Sequence, residues 1–380
     1  MDINQFSVIF LNDLNGFGPK TIANLIKKFD DLNKLWYLKT KTLKNLGLSS
    51  DQIKIFNKNK DKFRPKKIKK ELKNKNIKFL TLYNDNYPKK LRMIYDPPPV
   101  IFYQGETNFQ LPAVAIIGSR NSTVYGRKIA FSTASKLAKL GINIISGLAN
   151  GIDSTAHKGA LSVELGITTA ILGNGFDFLY PSQNKLLAQK ITENGLMITE
   201  FNPNKPPKAK HFPRRNRIIS ALADLILVIE AGAKSGTLIT VDYALEQGKE
   251  VMAVPGNIDR PNSIGANRLL KKGAAVFTQV SDVKDYLSAY LQQKQDKNDF
   301  VINSQKLNTL YPKLNAAEIK VLKLFQHEVE IYYDDLLKLS NLTETILDQI
   351  LVKFELMELI IRLRGKKYQF KGLQKLIQPI

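Results

Sequence analysis

Three observations predict an α/β chain built on a doubly wound, mostly parallel sheet. Between residue 113 and about 290, short runs rich in Ile and Val ("AVAIIG", "INIIS", "ITTAILG", "LMITEF", "DLILVIE", "EVMAVPG", "AAVFT") alternate with segments of helical length. Continuous apolar strands separated by helices mean a parallel sheet covered on both faces. Residues 1–78 read as short helices, and residues 313–380 as three helices and two strands. At 380 residues the chain is too long for one ordinary core, so several domains are expected. The divisions expected are a helical region over 1–78, the sheet domain over 79–290, a linker over 291–312 and a tail domain over 313–380.

Taken in order, the N-terminal region carries "LNGFGPKTIANLIKKF" from residue 11. Gly16 and Gly18 make a tight turn, Pro19 suits a first helical position, and Ile22, Leu25, Ile26 and Phe29 recur at helical spacing. This is the pattern of a helix-hairpin-helix or SAM-like domain. Its glycine turn either offers backbone N–H groups to a DNA phosphate or is a plain structural turn. Residues 58–78 hold eleven basic residues against two acidic ones and read as a boundary or an accessory phosphate contact. The following "LYNDNYPKKLRMIYDPPPVIFYQG" is dense in Tyr and Pro, and its three consecutive prolines cannot lie inside a helix.

Each strand of the expected sheet ends in residues that suit an anion. The first is followed by Gly118, Ser119 and Arg120, and the second by Ser146, Gly147 and Gly151 ahead of a helix starting near Asp153. The third leads into "LGNGFDFLYP", and the fifth into Lys234, Ser235, Gly236 and Thr237 at another helix start. Glycine lets backbone N–H groups approach a phosphate, and helix N-termini favour it electrostatically. Open parallel sheets bind ligands at this edge. Neither G-x-G-x-x-G with a downstream acid nor G-x-x-x-x-G-K-[ST] is present, so neither a dinucleotide nor ATP hydrolysis is supported.

The helix after the fourth strand opens "HFPRRNRIIS", which places Arg214, Arg215 and Arg217 where peptide dipoles disfavour cations. Arg214 and Arg217 lie roughly 60° apart around such a helix. They could grip one phosphate run as two forks, with Phe212 beside them for a base. Lys205, Lys208 and Lys210 precede them. Alternatively, Arg215 or Arg217 pairs internally with Glu200 or Glu230.

Residues 291–312 are polar and read as a linker, and the tail beyond has the element order of a winged helix. Its third helix, "TETILDQILVKFE", offers Glu344, Asp348 and Glu355 against Lys353, which does not suit a major groove. Only the wing is basic, with Arg362, Arg364, Lys366 and Lys367. The tail is therefore expected to make a protein contact or a wing-only phosphate contact and not to read duplex sequence.

Lys+Arg 57 against Asp+Glu 34 leaves +23, which favours a polyanionic partner, with nucleic acid first. Part of the lysine excess follows a bias toward Lys and Asn along the whole chain, so the scarcer arginines are the better witness. There are no cysteines, which excludes disulfides and thiolate chemistry. No run approaches a membrane span and the start lacks a cleavable-signal pattern, so a cytoplasmic address is expected. Histidines at 157, 211 and 327 make no metal site, and no cofactor is expected. Asp153 and His157 share a helix face, as a structural cap and a packed imidazole.

"AIIGSR", "SGLANGIDSTAHKGAL", "LGNGFDFLYP", "FPRRNRIISALAD", "EAGAKSGTLITVDYALEQGKEVMAVPG" and "NSIGANRLLKKGA" together resemble the DNA-processing protein A (DprA/Smf) family. The resemblance implies an extended Rossmann-like domain that binds single-stranded DNA without sequence preference and forms a homodimer. It also implies loading of RecA recombinase onto strands covered by single-strand-binding protein, in natural transformation. By motif, the DNA-binding positions it implies are Gly118, Ser119, Arg120, Ser146, Gly147, Lys210, Phe212, Arg214, Arg215, Asn216, Arg217, Lys234, Ser235, Gly236 and Thr237. A dimer contact is expected within 263–280. The rival class is a nucleotide-hydrolysing enzyme, because the "GAKSGT" loop is similar to that of phosphoribohydrolases with P-G-G-x-G-T-x-x-E. Here Thr240 stands where that motif has its Glu, and Ala231–Gly232 replaces its Pro-Gly pair. The general-base role is vacant, and a non-enzymatic binding protein is expected.

Overall fold

Helices open the chain because its apolar residues recur every three or four positions and its turns carry glycine. They are α1 (Ile3–Asp13), α2 (Pro19–Lys28), α3 (Thr40–Asn45), α4 (Ser50–Asn59) and α5 (Pro65–Asn74). Gly16 adopts a φ of 81° in the α1–α2 turn, a backbone region that glycine enters at little cost. Phe6, Ile22, Leu25, Phe56 and Leu72 are buried together. In this computed structural model the described residues are 3–29, 31–106, 109–164, 166–295, 314–325, 330–357, 359–363 and 365–370. The chain divides into two units, Met1–Val283 and Lys284–Ile380.

The helical core does not close on itself. Val100 and Phe102 complete it, and both belong to a strand of the sheet, so the division expected near residue 78 runs through shared packing. The elements that follow are β1 (Lys78–Thr81), α6 (Lys89–Arg92), β2 (Val100–Gly105), β3 (Ala113–Ile117), α7 (Val124–Lys139), β4 (Asn143–Ser146) and α8 (Ile152–Ala160). Next come β5 (Thr168–Leu172), α9 (Lys185–Asn194), β6 (Leu196–Thr199), α10 (His211–Leu222), β7 (Leu225–Val228), α11 (Gly236–Glu246) and β8 (Glu250–Ala253). Then α12 (Ile264–Lys271), β9 (Ala275–Val276) and α13 (Val280–Gln295) finish the run.

The nine strands lie in the order β1-β2-β6-β5-β4-β3-β7-β8-β9. From β6 to β9 all pairings are parallel, and Val114 of β3 sits between Ile144 of β4 and Leu225 of β7. This is the doubly wound sheet that the seven apolar runs predict. One face is covered by Ile218, Ile219 and Leu222 of α10 with Val241 and Ala244 of α11. The chain lays strands to one side of β3 through β6, then returns to place β7 on the other side. The switch in strand order therefore falls between β3 and β7. Strands β1 and β2 add an antiparallel margin that the sequence reading did not assign, because prolines 97–99 hide the strand that starts at Val100.

The second unit contains α14 (Ala316–Leu324), β10 (Glu330–Tyr332), α15 (Tyr333–Ser340), α16 (Glu344–Leu356), β11 (Ile360–Leu363) and β12 (Lys367–Phe370). The strands form an antiparallel sheet in the order β10-β12-β11, which completes a winged-helix arrangement with one strand more than expected. The expected linker overlaps the end of α13, and its remainder, 296–312, lies outside the described residues, as does Arg364 of the wing. No helix among the described residues is long and apolar enough to cross a membrane.

Replacing Phe102 by Ala is expected to cost about 3–5 kcal/mol. Because the ring serves strand and helical core together, fluorescence of Trp36 and far-UV circular dichroism of the first unit should report one coincident denaturant transition. Two separated transitions would show that the helical region folds apart from the sheet.

Candidate nucleic-acid interface

Glu200 follows directly on the last residue of β6 and is 1% exposed. A carboxylate so placed requires a cationic partner, and α10 supplies two. Arg217 donates from Nη1 to Glu200 Oε1 at 3.0 Å and from Nη2 to Oε2 at 2.9 Å, while its Nε donates to Asp96 Oδ2 at 2.8 Å. Arg214 donates from Nη2 to Glu200 Oε2 at 2.7 Å. Burial on its own would lower the Arg217 pKa, but Glu200 and Asp96 together hold it above the ordinary value. Arg215 is also buried. It donates from Nη1 to Gly147 O at 2.7 Å and to Ile171 O, and from Nε to Asn216 Oδ1 at 3.1 Å. Its pKa is pushed down to about 10, chiefly by burial, with Asp153 opposing.

The two-fork grip expected of Arg214 and Arg217 therefore does not form. Arg217 and Arg215 are internal, and Arg214 alone stays partly open, lying 5.4 Å from the Phe201 ring centroid. The internal pairing considered from the sequence is correct for Arg217 with Glu200 and incorrect for Arg215, which meets carbonyl oxygens.

The glycine loops are likewise committed to one another. Ser119 N donates to Glu230 O at 2.9 Å, and Ile152 N to Ser119 O at 3.2 Å. A Cβ on Gly118 would come within 2.7 Å of Ile152. Ser146 is buried and donates to Ile116 O at 2.7 Å, while Gly147 N donates to Asp153 Oδ2 at 3.1 Å. Gly118 therefore lets adjacent strand ends pack, and the N–H groups of Ser119 and Gly147 are bonded internally and not held out to a phosphate. At α11, Ser235 Oγ accepts from Thr237 N at 3.2 Å and Thr237 is buried, so this pair caps the helix.

Asp153 and His157 are structural. Thr168 Oγ1 gives its proton to Ile144 O at 2.6 Å, so the 2.7 Å contact with His157 Nδ1 requires the ring to donate. Nε2 is buried without a partner among the described residues. Burial and the nearby Arg215 charge push the His157 pKa down to about 3, and burial raises that of Asp153.

What faces solvent at this edge is a smaller set. Arg120 is exposed, with no ion-pair partner among the described residues, and its guanidinium lies 5.6 Å from the Phe212 ring centroid. Phe212 is half-buried, with Arg215 6.0 Å from its ring and Tyr180 5.3 Å away. A Cβ on Gly173 would come within 2.8 Å of the Phe212 ring, so that glycine makes room for it. Lys208, Lys210, Lys234 and Gly236 are exposed, and Asn216 is half-buried. Tyr180 was missed by the sequence reading, although it lies in the quoted "LGNGFDFLYP" run. The arrangement presents an aromatic face set among cations, which can stack a base and neutralise phosphates.

At the switch point between β3 and β7 the N-terminus of α7 is already occupied. Glu230 accepts from Thr123 N at 3.0 Å and from Thr123 Oγ1, and a Cβ on Gly126 would strike its carboxylate. An internal carboxylate thus fills the position that a nucleotide phosphate takes in many open α/β sheets.

The model of the family described as DNA recombination-mediator protein A matches residues 78–288. The chain belongs to that family. It is 35% identical over 294 residues to "Protein Smf" of Synechocystis sp., covering 75% of this chain and 74% of that one. With "DNA processing protein DprA" of Bacillus subtilis it shares 36% over 213 residues, 56% of this chain and 71% of that one. The crystal structure of DNA processing protein A from Streptococcus pneumoniae superposes with a TM-score of 0.67 at 31% identity, covering 75% of this chain and 98% of that one. The Helicobacter pylori family member, described for its single-stranded DNA binding mode, gives a TM-score of 0.51 at 32% identity, covering 56% of this chain and 96% of that one.

Arg217→Ala leaves Glu200 buried with only Arg214 beside it. It should cost about 3 kcal/mol or more in urea denaturation, whereas Arg120→Ala should stay within about 0.5 kcal/mol. His157 is neutral in the fold and charges more readily when unfolded, so its contribution is complete above pH 6.5 and fades as pH falls toward about 3. The raised pKa of Asp153 acts in the opposite sense. His157→Gln should therefore flatten the loss of stability on acidification, as measured by melting temperature against pH.

Proposed function

We propose that this chain binds single-stranded DNA without sequence preference along the C-terminal edge of β3, β5 and β7. In this reading it loads RecA recombinase onto strands covered by single-strand-binding protein, in natural transformation and DNA processing. The observation that carries the proposal is Phe212, presented between the exposed Arg120 and the buried Arg215, with Tyr180 beside it. Arg120, Lys210, Arg214, Lys234, Ser235 and Gly236 supply phosphate contacts, and Ser119 contributes its hydroxyl. Arg215, Asn216, Arg217, Ser146, Gly147, Gly118 and Thr237 hold the edge in shape. A positively charged groove with stacking aromatics tolerates any base, because every base has a π-face. The net charge of +23 favours such a polymer over a small neutral ligand.

The chain acts as a non-enzymatic mediator in this reading. Glu230 holding the α7 N-terminus and Thr240, buried where a catalytic carboxylate would stand, both argue against a mononucleotide substrate. Homodimerisation through 263–280 and a cytoplasmic address complete the proposal.

Titrating fluorescent single strands against salt, with a duplex control, is the direct test. Log affinity should fall with log salt at about −0.7 per phosphate neutralised. Arg120→Ala should remove about one such increment, and Phe212→Ala should cost about 1–3 kcal/mol with the slope unchanged. A salt-independent signal, or turnover of a mononucleotide lost with one carboxylate, would refute the proposal. RecA ATPase on strands coated with single-strand-binding protein should rise with this chain and drop back with the Arg120 variant.

A further inference from the structure

The proline-rich segment ahead of β2 is pinned at both ends and turned outward between them. Tyr87 is buried and donates its hydroxyl to Pro98 O at 2.7 Å, while Asp96 accepts from Arg217 Nε at 2.8 Å. Between these anchors Tyr95 stands 84% exposed. Lys20, at the start of α2, brings Nζ to 3.6 Å from the centroid of that ring. An ammonium so held is attracted by the ring quadrupole and remains available to a phosphate.

This pair is continuous with the sheet edge through direct contacts. Asp96 next to Tyr95 binds Arg217, Arg217 shares Glu200 with Arg214, and Arg214 lies over Phe201. Phe201 stacks on His211 at 4.2 Å, and Phe212 follows with Arg120 beyond it. Asn12 of the helical region donates to Glu200 O at 2.9 Å and Lys205 pairs with Asp13 at 2.9 Å, so α1 is fastened to the same loop. The buried Arg217, Glu200, Phe201 and His211 thus fix the spacing between two exposed cations that each sit beside an aromatic ring, Arg120 with Phe212 and Lys20 with Tyr95. Arg214 lies partly open between them.

We infer that Tyr95 and Lys20 form a second stacking and phosphate step, reached by single strands long enough to run from the sheet edge past Arg214. This rests on the single-strand reading of that edge. Full-length protein is titrated with oligo-dT from about 4 to about 16 nucleotides. Tyr95→Ala should weaken the longest strands about five-fold or more and leave the shortest unchanged, with Tyr95→Phe behaving as the parent. Lys20→Ala should reduce the salt slope by about 0.7 for long strands only. In Tyr95→Trp, the new fluorescence should be quenched by long strands and not by short ones.

If Arg120→Ala weakens every length while Tyr95→Ala weakens none, the second step is refuted and the sheet-edge reading stands. Equal weakening of all lengths by Tyr95→Ala would also refute it, by placing Tyr95 in the primary contact. If Arg120→Ala has no effect at any length, the sheet-edge reading falls and the extension falls with it. Because Tyr95 is largely exposed, none of these substitutions should disturb folding.

Discussion

The carboxylate of Glu200, buried at the end of β6, is the constraint on which the edge of the sheet depends. It accepts two hydrogen bonds from Arg217 and one from Arg214, and Arg217 continues to Asp96 in the proline-rich segment. One ionic cluster therefore ties sheet, helix α10 and the entry into β2 together. An isolated buried carboxylate would cost several kcal/mol, and a bidentate guanidinium offsets that cost while fixing direction. Once Arg217 is held inward, the helical turn places Phe212 and Arg214 toward solvent.

That geometry explains three arginines at a helix N-terminus without asking each to meet a ligand. One is structural, one is shared between an internal carboxylate and the surface, and one carries a buried charge beneath an aromatic ring. Arg215 makes no salt bridge among the described residues; it meets the carbonyl oxygens of Gly147 and Ile171, and the buried Asp153 acts on it at longer range. Its guanidinium lies 6.0 Å from the Phe212 ring centroid. A base stacked there would sit on a ring already flanked by Arg120, and the attraction between π-face and cation works through both partners.

The glycine-rich loops follow the same economy. Strand ends in a parallel sheet lie close together, and a side chain at Gly118 or Gly126 would drive into Ile152 or Glu230. Backbone N–H groups that look available in sequence are consumed by neighbouring loops, and Glu230 closes the switch point from inside. The open chemistry is displaced from the crevice to the outer rim, where Arg120, Phe212 and Tyr180 meet. A rim suits a polymer that must enter and leave sideways, whereas a closed crevice suits a small molecule.

Much of this was determined by local pattern. The seven apolar runs of the parallel sheet, the Gly16 turn and the winged-helix order of the tail depend on periodicity and turn chemistry, which neighbouring residues decide. The cap expected of Asp153, by contrast, is not made: Gly151 is the N-cap and Asp153 holds the preceding loop at Gly147 N. The position of Arg120 and Phe212 at one edge followed from the strand alternation alone. What tertiary structure decided was which cations are spent internally. Glu200 and Arg217 are separated by a loop and a helical turn, Asp96 and Arg217 by more than a hundred residues, and nothing local distinguishes Arg214 from Arg217. The same holds for β1 and β2, whose short apolar runs become strands only because β6 offers an open edge. Ionic partners and sheet margins are chosen by distance in space, and a linear pattern carries no record of that distance.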